Sequence, residues 1–377
     1  MSNPAPLSQR SDMVVFLNGE FIPADQARVG IMSHAFSYGT GCFEGIRGYW
    51  NAQAGENYLF RLREHFERLH RSARILSVTL PYSVDRLMEI AVELVRRNDF
   101  RENCYLRPCA FKADETIGVK LHGLEDQFSM LAVPMGDYVS TAGLRCGVSS
   151  WRRIDDNMIP ARGKITGAYV NSAFAKSEAQ QNGFDEAIML TSEGHVSEGS
   201  AENIFLLFGN ELVTPPPTEN ILLGITRETV MQLARRELEL IVRERVIDRT
   251  ELYVADEIIL TGTGAQLAPV VAVDHRPVGT GEIGPVSREL QRLYGEVVRG
   301  MRPEYMSWLT PVFGTAATTA TATPARAPEL VAAADGDKAA GNGHKADKAD
   351  KADKATSNGR AAGSHRARAS RQPAATR

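Results

Sequence analysis

The amino-acid composition of the chain changes at Gly314, and this change limits which part of the chain can fold. Beyond that residue there is no Phe, Tyr or Trp, and the only large aliphatic side chains are those of Leu330 and Val331. Such a segment buries too little apolar surface to offset the conformational entropy lost on folding. We therefore expect a folded body that ends at Phe313 and a disordered, low-complexity basic tail over 314–377.

Charge divides the chain at the same point. The whole chain has 43 Lys and Arg against 46 Asp and Glu, whereas the tail has 11 basic and 6 acidic residues, a net charge of +5. The body therefore carries a net charge of −8, and we do not expect it to bind nucleic acid. The tail, with its KADKADKADK repeat, could contact acidic partners, but a solvated extension without a dedicated ligand also explains its composition.

Local patterns argue against membrane, secreted and metal-binding classes. No stretch approaches the roughly 18 consecutive apolar residues of a membrane span, and the polar segment 1–12 lacks the apolar region of a signal peptide. The cysteines form no C-x-x-C pair and have no histidine at metal-ligand spacing; they are Cys42, Cys104, Cys109 and Cys146. We expect reduced structural thiols, no metal site, a flexible segment over 1–12 and a cytoplasmic location.

Alternating strand and helix patterns predict an α/β body of two domains. In the first, Asn18-Gly19 between two apolar runs predicts a β-hairpin over 13–25. Apolar spacing predicts helices over 64–76 and 84–98. Further strands are expected over 42–49, 58–61, 104–112 and 128–134. These elements make a small N-terminal α/β domain over 13–133.

A polar stretch with Pro and Gly, 134–143, is the candidate interdomain loop. The larger C-terminal domain is predicted over 144–313. Its expected helices are 169–182 and 226–240. Strands are expected over 144–152, 186–191, 203–208 and 211–214. The segments 257–261, 270–273 and 283–298 complete the domain as further strands and helices.

Lys164 is the first candidate for chemistry. It lies in MIPARGKITGAY, just before a predicted helix and among apolar and glycyl neighbours. A lysine amine withdrawn from water can act as a nucleophile. A surface lysine at the start of a helix fits the same pattern.

The second candidate is SEGSAEN over 197–203, where Glu198 and Glu202 are four residues apart among small residues. Small residues allow the backbone to approach a flat ligand closely, and a carboxylate there could hold a protonated ring nitrogen. An exposed polar turn is the alternative.

Two further segments resemble phosphate sites. Gly224-Ile225-Thr226 precedes a predicted helix, whose first amides attract anions, and the run 261–264 (TGTG) follows an apolar strand. The glycines at 39, 41 and 45 miss the G-x-G-x-x-G spacing by one residue, so they do not predict a dinucleotide site.

Together and in this order, these clusters resemble the branched-chain amino-acid aminotransferases of the class IV, pyridoxal-phosphate-dependent family. The resemblance runs from 14 to 308, and Lys164 and Glu198 have the expected spacing of 34 residues. Its strongest stretches are SHAFSYGTGCFEGIR, KITGAYVNS, GFDEAIML with VSEGSAENIF, and LLGITR. It implies the class IV fold, with pyridoxal 5'-phosphate (PLP) between the small and the large domain.

The resemblance assigns cofactor roles to particular residues. Lys164 matches the catalytic lysine that binds PLP covalently and moves the substrate proton, and Glu198 the carboxylate beneath the pyridine nitrogen. Tyr169 matches the tyrosine at the phenolic oxygen, and Arg68 the phosphate-binding arginine. The other phosphate contacts correspond to Ile225, Thr226 and Thr263.

It also implies a substrate pocket with apolar, aromatic walls. These aromatics correspond to Tyr38, Phe43, Tyr138 and Tyr169. In the motif Tyr105-Leu106-Arg107, the tyrosine helps to bind the α-carboxylate and the arginine helps to admit the γ-carboxylate of glutamate. Thr263 and Gly264 would bind the α-carboxylate, and Arg47 matches a family arginine that supports this region.

Two departures bear on side-chain preference. Met135 stands where a tryptophan is common in the family, and Gly264 stands where alanine is common. Neither change affects the residues to which the resemblance assigns the chemistry.

The implied activity is ping-pong transamination from L-leucine, L-isoleucine or L-valine to 2-oxoglutarate, as in branched-chain amino-acid biosynthesis. D-amino-acid transaminases and 4-amino-4-deoxychorismate lyases share Lys164, Glu198 and Arg68, but the YLR and FEGIR stretches favour the branched-chain enzyme. A catalytically idle scaffold is the alternative from another class. Family members imply a homodimer or larger assembly, in which a loop from the neighbour closes the pocket.

Overall fold

The predicted hairpin begins the first sheet. The computed structural model describes residues 10–136 and 143–314. Strands β1 (Val14–Leu17) and β2 (Glu20–Pro23) pair antiparallel. Their turn has φ of 47° at Asn18 and 105° at Gly19, the left-handed conformations that favour this dipeptide. The predicted hairpin is confirmed.

Eight antiparallel strands make up this sheet. Its remaining strands are β3 (Gly41–Phe43), β4 (Ile46–Asn51), β5 (Glu56–Phe60), β6 (Cys104–Lys112), β7 (Asp126–Pro134) and β17 (Leu309–Pro311). The order is β17-β5-β4-β6-β7-β1-β2, and β3 also pairs with β6. Helices α2 (Leu62–Ile75) and α3 (Val84–Arg97) pack on it through a common apolar core, and a short helix, α1 (His34–Tyr38), precedes β3.

The single strand predicted over 42–49 is wrong, because the chain forms two strands there. Both β3 and β4 pair with β6, but the ladder is interrupted between them. The N–H of Glu44 donates to the carbonyl of Pro108 at 2.9 Å. Since proline has no N–H, the reciprocal bond cannot form and the pairing is broken at this point.

The second sheet has nine strands and mixed directions. Its strands are β8 (Leu144–Arg152), β9 (Glu186–Leu190), β10 (Val196–Gly199), β11 (Asn203–Phe208), β12 (Glu211–Thr214), β13 (Ile241–Glu244), β14 (Glu257–Gly262), β15 (Gln266–Val273) and β16 (Arg276–Pro277). The order is β10-β9-β8-β15-β14-β11-β12-β13, with β16 on β15. Helices α4 (Tyr169–Gln181), α5 (Ile225–Glu237) and α6 (Pro285–Val298) accompany this sheet. The short strands β10, β13, β16 and β17 were not predicted.

The two sheets share apolar contacts. Tyr49 and Phe60 of the first sheet belong to the same buried cluster as Phe205, Val230 and Leu290. Strand β17 pairs with β5, so the chain returns to the first sheet after completing the second. The predicted domain boundaries stay a prediction. The segments predicted as flexible, interdomain loop and tail lie mostly outside the described residues.

Among the described helices, none is both long and apolar enough to cross a membrane. Within the same residues, no group of three or more His, Cys, Asp or Glu side chains is placed to hold a metal ion. All four cysteines are free, and burial raises the pKa of Cys104 to about 12 and that of Cys109 to about 11.

A buried carboxylate anchors the last part of the folded chain. Glu56 accepts hydrogen bonds from the backbone N–H groups of Val312 (2.8 Å), Phe313 (2.7 Å) and Gly314 (2.5 Å). In Glu56→Ala the N–H groups of Phe313 and Gly314 lose their acceptor, whereas that of Val312 keeps the carbonyl of Asn57 at 3.0 Å, so we expect the free energy of unfolding to fall by about 2–3 kcal/mol in urea denaturation. The control Glu67→Ala, on the exposed side of α2, should change it by less than about 0.5 kcal/mol. Equal effects of the two substitutions would contradict this account.

Candidate functional site

A cavity of about 290 Å³ lies where residues of the two sheets meet. Most of the predicted site residues line it, and these are Phe43, Arg68, Tyr105, Arg107, Lys164, Tyr169, Glu198, Ile225, Thr226, Thr263 and Gly264. Two predicted residues do not line it: Arg47 is buried behind the wall, and Tyr38 is exposed on α1. Tyr138 lies outside the described residues.

The main chain of Lys164 is hydrogen-bonded to helix α2 and to strand β3. Its N–H donates to Ser72 Oγ of α2 at 3.0 Å, and its carbonyl accepts from the N–H of Phe43 in β3 at 3.1 Å. Its Nζ lies 2.5 Å from Tyr169 Oη, at the first residue of α4. These bonds direct the lysine amine into the cavity beside a phenol.

Glu198 lies on β10 and is held by groups from three segments. Its Oε1 is 2.8 Å from Nη2 of Arg153, and its Oε2 accepts from Asn203 Nδ2 at 3.0 Å and from the N–H of Leu222 at 3.1 Å. Burial raises the pKa of Glu198, and Arg153 and the Leu222 N–H oppose that shift. Arg153 was not predicted as a site residue, because it follows β8 and belongs to no recognisable motif.

Arg68 is fixed by a buried carboxylate. Its Nε and Nη2 each donate to Glu44 at 2.7 Å, and its Nη1 donates to the carbonyl of Leu223 at 2.8 Å. His65 Nδ1 lies 2.8 Å from Glu44 Oε2. Burial acts to raise the pKa of Glu44, but Arg68 and His65 outweigh it and lower that pKa to about 2. Two of the five N–H donors of Arg68 remain without a protein acceptor.

The start of helix α5 lies next to these free donors, since Arg68 binds the carbonyl of Leu223, two residues before Ile225. Helix α5 begins at Ile225 without a side-chain cap, so its first amides are available to a ligand. Thr261 Oγ1 is buried without a hydrogen-bond partner, and Thr261 lines the cavity. A side chain at Gly224 would collide with Asn203, which explains the glycine before the helix. The arrangement suits a phosphate group.

The opposite end of the cavity combines aromatic rings with a cation. Tyr105 and Arg107 lie on one face of β6, since alternate residues of a strand point the same way. Arg107 donates to Tyr105 Oη from Nη2 at 2.7 Å, and its guanidinium lies 4.5 Å from the ring centre of Phe43. This end can hold an apolar chain or a carboxylate.

Glu202 is a second buried carboxyl of the cavity wall. Burial and the nearby charge of Glu186 raise its pKa from 4.5 to about 8. Glu186 itself pairs with Lys176 at 2.5 Å. From the sequence, Glu202 was a candidate with Glu198 for the carboxylate at a ring nitrogen, and the family resemblance assigns that role to Glu198.

This shift predicts a pH-dependent stability. The folded state keeps the Glu202 proton up to a pH of about 8, whereas the unfolded state loses it near 4.5. Glu202 therefore stabilises the fold less and less as the pH rises between these values, by up to about 1.4 kcal/mol per pH unit. We expect the stability of Glu202→Gln relative to wild type to increase from pH 5 to pH 8 in thermal unfolding. Glu67→Gln is the control, and a stability difference for Glu202→Gln that is constant with pH would refute the prediction.

Known proteins are similar to this chain in sequence and fold. Residues 41–273 match the family model described as amino-transferase class IV. A probable branched-chain-amino-acid aminotransferase of Aquifex aeolicus (strain VF5) is 48% identical over 299 residues, which are 79% of this chain and 96% of that protein.

Solved structures of aminotransferases are also similar to this chain in sequence and fold. The branched-chain aminotransferase from the thermophilic archaeon Thermoproteus uzoniensis with norvaline is 42% identical, with a TM-score of 0.77, covering 80% of this chain and 99% of that one. The enzyme from Thermobaculum terrenum in its PLP form is 38% identical, with a TM-score of 0.77, covering 81% and 99%. A further branched-chain amino acid aminotransferase, complexed with N-(5'-phosphopyridoxyl)-L-glutamate, is 40% identical, with a TM-score of 0.76, covering 79% and 98%. The predicted fold class is confirmed, and the chain belongs to the class IV aminotransferase family.

Proposed function

We propose that this protein is a PLP-dependent aminotransferase that transfers the amino group of branched-chain L-amino acids to 2-oxoglutarate. The observation that carries the proposal is that one cavity holds the amine of Lys164, the carboxylate of Glu198 and the anion site at Arg68. The names of the relatives support it, as do the norvaline and the phosphopyridoxyl-glutamate bound in two of the solved structures.

The residues present fit PLP. The unused N–H donors of Arg68, the start of α5 at Ile225 and Thr226, and the Thr263 hydroxyl suit its phosphate. Glu198 suits the ring nitrogen, and Lys164 suits the aldehyde carbon. When bound, PLP supplies a sink for the electron pair left on the substrate α-carbon.

The side chains of Lys164, Tyr169 and Glu198 would bind and transfer the protons of the reaction. Lys164 would take the proton from the substrate α-carbon and deliver it to the former aldehyde carbon of the cofactor, and it would move a proton the opposite way in the second half-reaction. Tyr169 Oη, 2.5 Å from Nζ, orients this amine. Glu198 would keep a proton at the ring nitrogen, and Arg153 and Asn203 hold the carboxylate in place.

Substrate selection rests on the other end of the cavity. Phe43 and Tyr105 would contact a branched aliphatic side chain, and Arg107 would bind the γ-carboxylate of glutamate. Thr263 and Gly264 would bind the α-carboxylate together with Tyr105. One pocket must accept both side chains. A wall in which an aromatic ring lies against an arginine can contact the aliphatic side chain and can also bind the carboxylate.

A second copy of the chain would complete the site. Tyr38 lies on an exposed apolar surface instead of in the cavity of its own chain. This surface comprises Val29, Ile31, Met32, Phe36, Tyr38, Ile117 and Val119, which are 39–80% exposed. The surface is formed by the segments 29–38 and 117–119. His34 joins these segments through a 2.7 Å hydrogen bond between its Nε2 and the carbonyl of Gly118. An exposed apolar surface of this kind is typical of an interface, so we propose a homodimer or larger assembly.

The activity test uses L-leucine and 2-oxoglutarate in a coupled assay. We expect wild type to form glutamate and Lys164→Ala to lose at least about 10³-fold in kcat, because the proton-transfer group is removed. Lys164→Arg keeps the positive charge but should be equally inactive. Turnover by Lys164→Ala at the wild-type rate, or wild-type activity on D-alanine alone, would overturn the proposal.

The assembly test places a charge in the apolar surface. Light scattering should show a dimer or larger species for wild type, and Phe36→Glu combined with Ile117→Glu should shift it towards monomer, because burying two carboxylates in an interface is costly. Val254→Glu, at a residue 70% exposed elsewhere on the molecule, is the control. A fully active wild-type monomer would exclude the assembly.

A further inference from the structure

Arg61 is a buried cation that contacts the first turn of α5. It lies between β5 and α2 and is 8% exposed, and its Nη1 donates to Thr229 Oγ1 at 3.2 Å. Glu64 pairs with Nε at 2.7 Å, but the side chain of this glutamate is 34% exposed, so water weakens its effect. The positive end of a helix disfavours a cation beside it unless an anion lies there as well. The position of Arg61 therefore needs an explanation.

The contact of Arg61 continues to the peptide group between Ile225 and Thr226. Thr229 is fully buried, and its Oγ1 donates to the carbonyl of Ile225 at 2.9 Å. That carbonyl belongs to the same peptide group as the N–H of Thr226. Because linked hydrogen bonds polarise one another, a bond to the carbonyl oxygen makes this N–H a stronger donor. The charge of Arg61 thus acts on an amide at the start of the helix.

This amide is one of those that α5 leaves for a ligand. The helix has no side-chain cap at Gly224, and Ile225 and Thr226 line the cavity. Amides of the first turn have no acceptor within their own helix. Arg68 contacts the same end of α5 through the carbonyl of Leu223. Two buried arginines therefore meet the start of this helix, Arg68 at the cavity and Arg61 behind its wall.

We infer that Arg61 and Thr229 are positioning residues that fix and polarise the start of α5 for the phosphate group of PLP. Neither residue lines the cavity, so they act through the Thr226 amide and not by contact with the cofactor. Phosphate binding thus depends on a hydrogen-bonded chain behind the wall as well as on the groups that face the ligand. This inference rests on the proposed function.

The test measures how much the phosphate contributes to cofactor binding. Full-length protein is titrated with PLP and with pyridoxal, which is PLP without its phosphate, and both Kd values are read from the cofactor absorbance. Thr229→Val should lower the preference for PLP over pyridoxal by about threefold to tenfold, the value of one net hydrogen bond. The Kd for pyridoxal should stay near wild type. In the holoenzyme, the ³¹P resonance of bound PLP should shift, because the Thr226 amide donates a weaker bond.

Thr214 provides a matched control. It is also fully buried, it accepts from Arg227 Nε at 3.3 Å, and it donates to the carbonyl of Ile204 at 2.8 Å. Neither Thr214 nor Ile204 lines the cavity. Thr214→Val should lower the melting temperature as Thr229→Val does, but it should leave the preference for PLP and the ³¹P resonance unchanged.

A double-mutant cycle shows whether Arg61 acts through Thr229. Arg61→Met should lower the preference for PLP by a similar factor, and the double variant should lower it no further than the larger single effect, because the two residues form one chain. Arg61→Lys keeps the charge and should retain part of the preference. If Arg61→Met does not fold, Arg61→Lys takes its place in the cycle.

The outcomes distinguish this inference from the proposed function. A wild-type protein that forms no glutamate from L-leucine and 2-oxoglutarate would remove the proposed function. An active wild type in which Thr229→Val keeps the preference for PLP, or loses no more of it than Thr214→Val does, would overturn the inference alone. Fully additive effects of the Arg61 and Thr229 substitutions would also overturn it.

Discussion

The buried fork between Glu44 and Arg68 is the interaction on which the cavity depends. Arg68 arrives on α2, and Glu44 lies in the interruption between β3 and β4 that Pro108 causes. Loss of either partner would leave a buried charge unpaired, at a cost of about 3–5 kcal/mol. Glu44 also follows Phe43, whose N–H binds the carbonyl of Lys164. One stretch of chain therefore positions the anion site, the apolar wall and the lysine.

Charges are distributed unevenly along the cavity. At one end, Arg68 pairs with Glu44 and Arg153 pairs with Glu198. At the other, Arg107 is bound to a tyrosine and Arg47 to carbonyls, and in the described part of the chain neither forms an ion pair. A ligand with carboxylates at this second end would neutralise cations that the protein leaves unpaired. This distribution supports an amino acid and a dicarboxylate as alternating substrates.

Local sequence patterns were sufficient where structure depends on near neighbours. The Asn18-Gly19 turn determined the hairpin, and apolar spacing located α2 and α3 within two residues of their observed ends. The strands over 104–112 and 144–152 have the predicted bounds. The break between β3 and β4 was not predictable in this way, because its cause, Pro108, lies on another strand.

The same distinction applies to the site. By itself, the sequence determined the first hairpin, the main helices and most of the longer strands and, through its family resemblance, most of the side chains that line the cavity. Only the tertiary structure decided that Arg153 supports Glu198, that Glu44 holds Arg68, and that Arg47 lies behind the wall while Tyr38 lies outside it. The physical reason is that strand and helix periodicity act over a few residues. The hydrogen-bond partner of a buried charge depends instead on which segments the packing of the two sheets brings together. Arg47 and the carbonyl of Gly264, 217 residues apart in the sequence, are an example.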